Sequence, residues 1–328
     1  MQYCYLGRAG VRVSRLCLGT FNFGTVTDEP EAQRILDAAL DAGINFLDTA
    51  NHYPDFAQCG LTEEIMGRWF AQRPGRRAQV VLATKVYQPM GNPADPNDAA
   101  GLSKYKIRRH LEDSLGRLRT DHVDLYQMHH VDRRGDWEEL WEAFDLLVQQ
   151  GKVGYVGASN FAGWDLALAQ AAARARHCFG LASEQHKYNL LCRLPELEVL
   201  PAARHLGIGV LAYSPLANGL LGGAGPRDGE RSRRARQARQ QPPDAPTVRR
   251  LERYAQLCRE LPEAEANVAT AWILAQPALT AAIVGPRTPE QLQQVLPATE
   301  LRLDHASLAR LDELFPGPGG SAPQAYAW

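Results

Sequence analysis

The chain has 328 residues, of which 45% are hydrophobic and 22% charged, and its formal net charge is −1. That length suits one large domain or two ordinary ones, and the composition is that of a globular protein with a sizeable core. Near-neutrality removes any global electrostatic case for a nucleic-acid or membrane partner.

The N-terminal stretch MQYCYLGRAGVRVSRL lacks the long apolar segment of a signal peptide. Within it, YCYLGRAGVRVS (3–14) reads as a β-hairpin. From there the pattern alternates. RLCLGT (15–20) is strand-like, and EAQRILDAALDAG (31–43) has helical spacing with a glycine stop. INFLDT (44–49) precedes a helix over TEEIMGRWFA (62–71). QVVLATK (79–85) precedes a helix over 103–119, where Ile107, Leu111, Leu115 and Leu118 recur at spacings of four, four and three. DHVDLYQMH (121–129), KVGYVGAS (152–159), GLASEQ (180–185) and IGVLAYS (208–214) alternate with helical segments 137–151, 163–175 and 195–207. The stretch 217–247 is Gly/Pro-rich, then arginine-rich, and is expected to form a long flexible loop. Helix 263–276, strand LTAAIVG (279–285) and helix 289–296 follow. The tail FPGPGGSAPQAYAW is expected to be irregular.

Eight alternating pairs define an α/β protein with a parallel sheet. No G-x-G-x-x-G follows an early strand, which weighs against an open dinucleotide-binding sheet. Polar residues gather instead at the strands' C-terminal ends: Asp48, Lys85, His129, Ser159 with Asn160, Gln185, and Tyr213 with Ser214. In a closed (β/α)8 TIM barrel those ends meet on one face. The expectation is a single barrel domain over 1–328, with an N-terminal hairpin and extra helices.

Three of these residues and one loop tyrosine suggest chemistry. Asp48, Lys85 and His129 end three successive strands, and Tyr53 follows Asp48 by one short loop. A phenol has an ordinary pKa of about 10, and an ammonium beside it favours loss of its proton. Lys85, held by Asp48, would thus help Tyr53 protonate an oxygen that becomes negative during carbonyl reduction. A neutral imidazole could donate to the same oxygen. Each residue alone has an ordinary reading as a cap, a solvated charge or a packing group; their convergence favours the site. The pair His129–His130 raises a separate question, because neighbours on a strand face opposite sides. Only one is expected to enter the site, and metal binding with Asp132 is not expected. The six cysteines form no C-x-x-C pair and no zinc spacing. No apolar run reaches the ~18 residues of a membrane span, so a reduced, cytoplasmic protein is expected.

These motifs resemble the aldo-keto reductases over the whole chain, and in particular the branch that includes potassium-channel β subunits. The resemblance rests on six stretches in order: LGRAGVRVSRLCLGTFNFG, GLSKYKIRRHLEDSLGRLRTDHVDLYQMHH, GKVGYVGASNF, SEQHKYNLL, AYSPL and IVGPRTPEQL. It implies the barrel fold and NADPH as cofactor, with a small-molecule carbonyl substrate. It implies Tyr53 as the acid, Lys85 and Asp48 as its modulators, and His129 rather than His130 as the carbonyl-orienting residue. For the cofactor it implies Gly19, Thr20 and Asp48, then Ser159, Asn160 and Gln185 at the carboxamide and Tyr213 on the nicotinamide face. Ser214, Pro215 and Leu216 match the turn by the pyrophosphate, and Gly285, Arg287 and Gln291 the adenosine-phosphate segment. An arginine suits a bidentate phosphate contact.

Three departures stand out. The last motif usually ends in Glu-Asn, which reads adenine; here Gln294 and Val295 stand there, so adenine contacts are expected to be weaker or replaced, and NADH stays open beside NADPH. Pro54 follows Tyr53 where the family usually has glycine, so the loop is expected to have its own shape. The arginine run Arg231, Arg233, Arg234, Arg236 and Arg239, in the 217–247 loop expected near the cofactor, reads as a solvated helix face, with approach to the cofactor phosphates as the alternative. HHVDRR, FAGW and IVGPRTPEQL are also similar to reductases of deoxysugar pathways, including NDP-hexose 2,3-enoyl reductases, which gives an alternative substrate class. A redox-sensing NADPH-binding subunit is an alternative of another kind. Oligomeric state stays open, a homo-oligomer included.

Overall fold

The structure is a computed structural model that describes residues 1–223 and 242–327. Among the described residues ten strands form in chain order: β1 (Tyr3–Tyr5), β2 (Arg12–Ser14), β3 (Leu16–Gly19), β4 (Phe46–Asp48), β5 (Val81–Val86), β6 (Val123–Met128), β7 (Val153–Ser159), β8 (Leu181–Lys187), β9 (Gly209–Tyr213) and β10 (Leu279–Val284). β1 and β2 make the expected antiparallel hairpin. The other eight close into a parallel barrel, in the order β10-β3-β4-β5-β6-β7-β8-β9. Each of the eight strand-like runs became one barrel strand.

The hairpin positions the site by closing the opposite end. Leu6, Ala9 and Val13 share an apolar cluster with the barrel-interior residues Cys17, Phe46, Val81, Leu125 and Leu211. Gly7 is in the left-handed region and lies so close to the start of β9 that an added Cβ would sit 2.5 Å from the Gly209 nitrogen. With the strands' N-terminal end plugged, their C-terminal end is the one left for a site.

Helices surround the barrel: α1 (Glu29–Asp41), α2 (Leu61–Gln72), α3 (Lys104–Leu118), α4 (Trp137–Gln149), α5 (Gly163–Ala175), α6 (Val199–Leu206), α7 (Ala245–Glu260), α8 (Glu265–Ala275), α9 (Pro289–Val295), α10 (His305–Leu314) and the short α11 (Gln324–Ala327). Side-chain caps define several starts: Asp28 accepts from Glu31 N, Ser103 from Lys106 N and Asp136 from Glu138 N. The layer between barrel and helices holds the main core, including the fully buried Trp69, Trp141, Trp272 and Phe144. The indole N–H groups of Trp69 and Trp141 donate to Asp37 and to the Ala169 carbonyl.

Three expectations need correction. α7 begins at Ala245, inside the expected loop 217–247, and continues through a stretch in which no helix was expected. Asp244 caps it, a proline sits in its first turn, and Tyr254, Leu257 and Cys258 bury one face. The loop's other end holds a 3₁₀ turn at Ala217–Gly219, and the arginine run lies outside the described residues. Helix 195–207 is a 3₁₀ turn at Leu194–Glu196 followed by α6, because Glu198 has non-helical φ −142°. The tail carries α11 rather than being irregular throughout.

α2 and α3 meet in close contact at Gly67, where a Cβ would fall 2.1 Å from the Arg117 carbonyl oxygen. A backbone oxygen at a helix end has little freedom to yield. Gly67→Ala should therefore destabilise by about 1–3 kcal/mol through overpacking. In urea unfolding this is expected as a lower midpoint with unchanged slope; an unchanged midpoint would contradict the packing described.

Candidate active site

The site begins with an ion pair at the ends of β4 and β5. In the register, Asp48 lies opposite Ala83, and Lys85 opposite Gln127. Side chains two apart on a strand share a face, so Lys85 is directed to the same interior as Asp48. Lys85 is fully buried, with Nζ 2.5 Å from Asp48 Oδ2 and 2.8 Å from the Thr49 carbonyl oxygen. Asp48 Oδ1 accepts from Gln127 Nε2 at 3.0 Å and from Gln185 Nε2 at 2.9 Å. Burial disfavours the lysine's charge more than any other single influence. The attraction and hydrogen bonding of Asp48 and Tyr53 together outweigh it, and its pKa is raised above the ordinary value.

Tyr53 stands over this pair. It is 9% exposed, hydrogen-bonds Lys85, and has the ammonium 5.1 Å from its ring centroid. Phe21 and His52 each meet its ring at 5.0 Å, edge to face. The Tyr53–Pro54 peptide is cis. His129 follows the end of β6, its N–H donating to the Val86 carbonyl, and its ring lies 5.8 Å from that of Tyr53. Burial, then the charges of Lys85, His52 and His130, hold its pKa well below the ordinary imidazole value. At neutral pH it is uncharged. Its Nδ1 is shielded and has no partner among the described residues.

The alternation argument about the two histidines does not hold. β6 stops at Met128, and both histidines lie in the bend beyond it. Their rings stack 5.4 Å apart at 10°. His130 therefore lies alongside His129 instead of turning away, and contacts Tyr87 at 5.2 Å on its other side.

A second group continues the network around the rim. Ser159 Oγ donates to the Gln185 carbonyl at 2.8 Å. Asn160, at φ 60°, donates to Ser159 Oγ at 2.9 Å and to the His129 carbonyl at 3.1 Å. Its Oδ1 accepts from Tyr213 OH at 2.8 Å. The polar residues expected at six strand ends are thus brought together, including Ser214, at φ 55°, whose carbonyl accepts from Asn189. Ser214 starts the turn through Pro215 and Leu216, where Ala217 N donates to the Ser214 carbonyl.

Closing the ring, β10 neighbours β9 and β3. The Gly285 carbonyl accepts from Asn22, and Arg287 N donates to Gln291 Oε1 at 2.9 Å. Thr20 is buried and gives its hydroxyl to the Asp48 carbonyl. Gly19 has no room for a Cβ, which would meet Ile283 at 2.7 Å. Val295 packs into the core at 7% exposure, and Gln294 is exposed.

Sequence reasoning missed Gln127 and His52. Gln127 lies opposite Lys85 in the barrel register, and its amide reaches Asp48 only once the barrel has closed. His52 is the neighbour of Tyr53, and its ring lies 5.0 Å from that of His129. Among the described residues no group of three or more His, Cys, Asp and Glu could hold a metal ion, and no helix is long and apolar enough to cross a membrane. A shallow depression of about 700 Å³, bordered by Glu112, Arg119, Asp121 and Lys152, lies where β6 and β7 begin and shares no residue with the site.

The donor set suits a nicotinamide cofactor. Hydroxyl and amide groups of Ser159, Asn160 and Gln185 match a carboxamide, which both donates and accepts, and Tyr213 offers a flat ring beside them.

A closed parallel barrel with a lysine–carboxylate pair, a phenol and an imidazole at its mouth has the features of an oxidoreductase. The chain belongs to the aldo/keto reductase family, whose model matches residues 15–315. It is 59% identical over 331 residues to "Uncharacterized oxidoreductase YrpG" of Bacillus subtilis (strain 168), covering 100% of both chains. It is 33% identical to "Probable voltage-gated potassium channel subunit beta" of Oryza sativa subsp. japonica, covering 92% of each. It is also 29% identical to versiconal hemiacetal acetate reductase of Aspergillus parasiticus, covering 95% of this chain and 96% of the other.

Proposed function

We propose that the protein is an NADPH-dependent carbonyl reductase that converts an aldehyde or ketone to an alcohol, with Tyr53 as general acid. The observation that carries this is the fully buried Lys85–Asp48 pair beneath Tyr53. Burying two charges is costly, and a purely structural core would be served by apolar residues. Here the pair sets a charged ammonium against a phenol.

When bound, the reduced nicotinamide supplies the hydride that reduces the carbonyl carbon. The chain's residues handle the oxygen. Neutral His129 donates a hydrogen bond to it and fixes its direction, and Tyr53 transfers its phenolic proton to it as negative charge grows. Lys85 stabilises the phenolate left behind, and Asp48 keeps Lys85 charged and in place. Ser159, Asn160 and Gln185 would hold the carboxamide, and Tyr213 would offer its ring to the nicotinamide face. The Ser214–Leu216 turn and the Gly285–Gln291 segment, with Gly19 and Thr20 beside them, border the rest of the cofactor.

Arg287 favours NADPH, since a guanidinium suits an additional phosphate. Val295, which is buried, offers no hydrogen-bonding side chain at the adenine end, and NADH is the alternative. Reduction of nucleotide-activated keto or enoyl sugars is the second substrate class, and a panel of these against simple aldehydes separates the two. A redox-sensing subunit would need less than the complete Asp48–Tyr53–Lys85–His129 set.

His129→Ala should lower kcat/KM by about 10²–10³, the scale of losing an oxyanion donor. His130→Ala, which removes a ring packed beside the donor, should cost less than about tenfold. Steady-state kinetics with an activated aldehyde checks both, and equal losses would contradict the assignment.

A further inference from the structure

Glu184 is a carboxyl group in an apolar layer. It is fully buried on β8, and its neighbour in sequence, Gln185, turns to the barrel interior to bind Asp48. By strand alternation Glu184 therefore faces outward, toward the helix layer. There its Oε1 accepts from the Phe161 backbone N–H at 3.0 Å and meets His186 Nδ1 at 3.0 Å. Its Oε2 is buried with no partner among the described residues. A buried polar group left half-satisfied is costly, so its retention calls for a local reason.

The reason lies in the turn that leaves β7. Ser159 ends the strand, Asn160 adopts φ 60°, and Phe161 is buried at 1% exposure. A left-handed non-glycine residue is uncommon and must be held by its surroundings. It also turns the next N–H out of the barrel ladder and into the apolar layer, where a missing acceptor would be costly. Glu184 supplies that acceptor. Asn160 N, on the near side, donates to the Gln185 carbonyl at 3.0 Å. Two consecutive residues of β8 thus grip two consecutive N–H groups of the turn.

We propose that Glu184 is a positioning residue for the cofactor: by holding Phe161 N–H it fixes the turn that presents Ser159 and Asn160 to the carboxamide. This rests on the reading that Ser159 and Asn160 bind the cofactor. Glu184 touches neither the reacting atoms nor the cofactor and acts through the backbone. Burial is the largest influence on its carboxyl and pushes the pKa up; His186 and the backbone N–H groups partly oppose this. An acceptor oxygen, more than a negative charge, is what the turn needs, so the amide of glutamine should serve.

The test is NADPH affinity, read by quenching of protein fluorescence without substrate, together with kcat and KM. Glu184→Met, which fills the space without an acceptor, should weaken NADPH binding by about tenfold or more while kcat at saturating NADPH falls much less. Glu184→Gln should stay close to the unsubstituted protein. In a cycle with Asn160→Ala, the double variant should lose little more than the worse single one, because both act through the same turn. If Glu184→Met does not fold, Glu184→Asp, which withdraws the acceptor by one methylene, carries the same expectation. Unchanged NADPH affinity in the variant lacking the acceptor, an equal loss in Glu184→Gln, or simple additivity with Asn160→Ala would overturn the proposal alone. Unchanged affinity in Asn160→Ala would overturn the cofactor reading on which it rests as well.

Discussion

Tyr53→Phe should lower kcat/KM for an activated aldehyde by about 10³–10⁴, at the upper end of what a general acid contributes. The substitution removes one oxygen and keeps the ring, so the edge-to-face contacts with Phe21 and His52 should survive. Cofactor affinity should stay unchanged, because Ser159, Asn160, Gln185 and Tyr213 lie outside the change. The loss should fall on kcat more than on KM, since proton transfer is a transition-state interaction. Steady-state kinetics with a parallel binding titration checks this. Retained turnover would remove Tyr53 from the role given to it.

The second large effect is on stability as well as rate. Lys85→Met leaves the Asp48 carboxylate buried, with only the amides of Gln127 and Gln185 to offset its charge. Breaking a buried pair from one side costs about 3–5 kcal/mol, and replacing both partners with apolar groups costs much less. Lys85→Met should therefore unfold at markedly lower urea, and the double variant Lys85→Met/Asp48→Leu should recover much of the loss. Neither should reduce carbonyls at more than a trace of the original rate. The pH dependence has a defined sign. Lys85 has a raised pKa in the fold, so its contribution is complete below the ordinary lysine value of about 10.4 and is lost as pH rises through the raised value. A Lys85→Met protein as stable as the original would contradict the ion-pair geometry.

The barrel was legible because its physics is local and periodic. Strand-like runs of a few residues between helical segments, and polar residues at their C-terminal ends, follow directly from strands buried on both faces with one open mouth. Asp48, Lys85 and His129 could be found by position at those ends. Failures came where periodicity stops. α7 was hidden because the glycines, prolines and arginines before Asp244 masked its cap, although Tyr254, Leu257 and Cys258 carry helical spacing. Alternation was extended past Met128 to His129 and His130, where the strand had already ended. Gln127 and Glu184 were overlooked for the opposite reason. Each is a buried polar residue on a barrel strand, and its partner is distant in sequence: Asp48 for the first, the Phe161 N–H for the second. Such pairings need the closed barrel before they can be seen. Cofactor preference stays a matter of chemistry at Arg287 and Val295, which strand patterns do not address.

The most direct test of carbonyl reduction at this site is isotopic. The protein is incubated with an activated aldehyde and NADPH deuterated at the transferable nicotinamide C4 position, and the product is examined by mass spectrometry. The expected result is an alcohol carrying deuterium on its carbinol carbon, formed in step with cofactor oxidation and abolished by Tyr53→Phe. Failure to consume NADPH, or an alcohol without deuterium at that carbon, would contradict it.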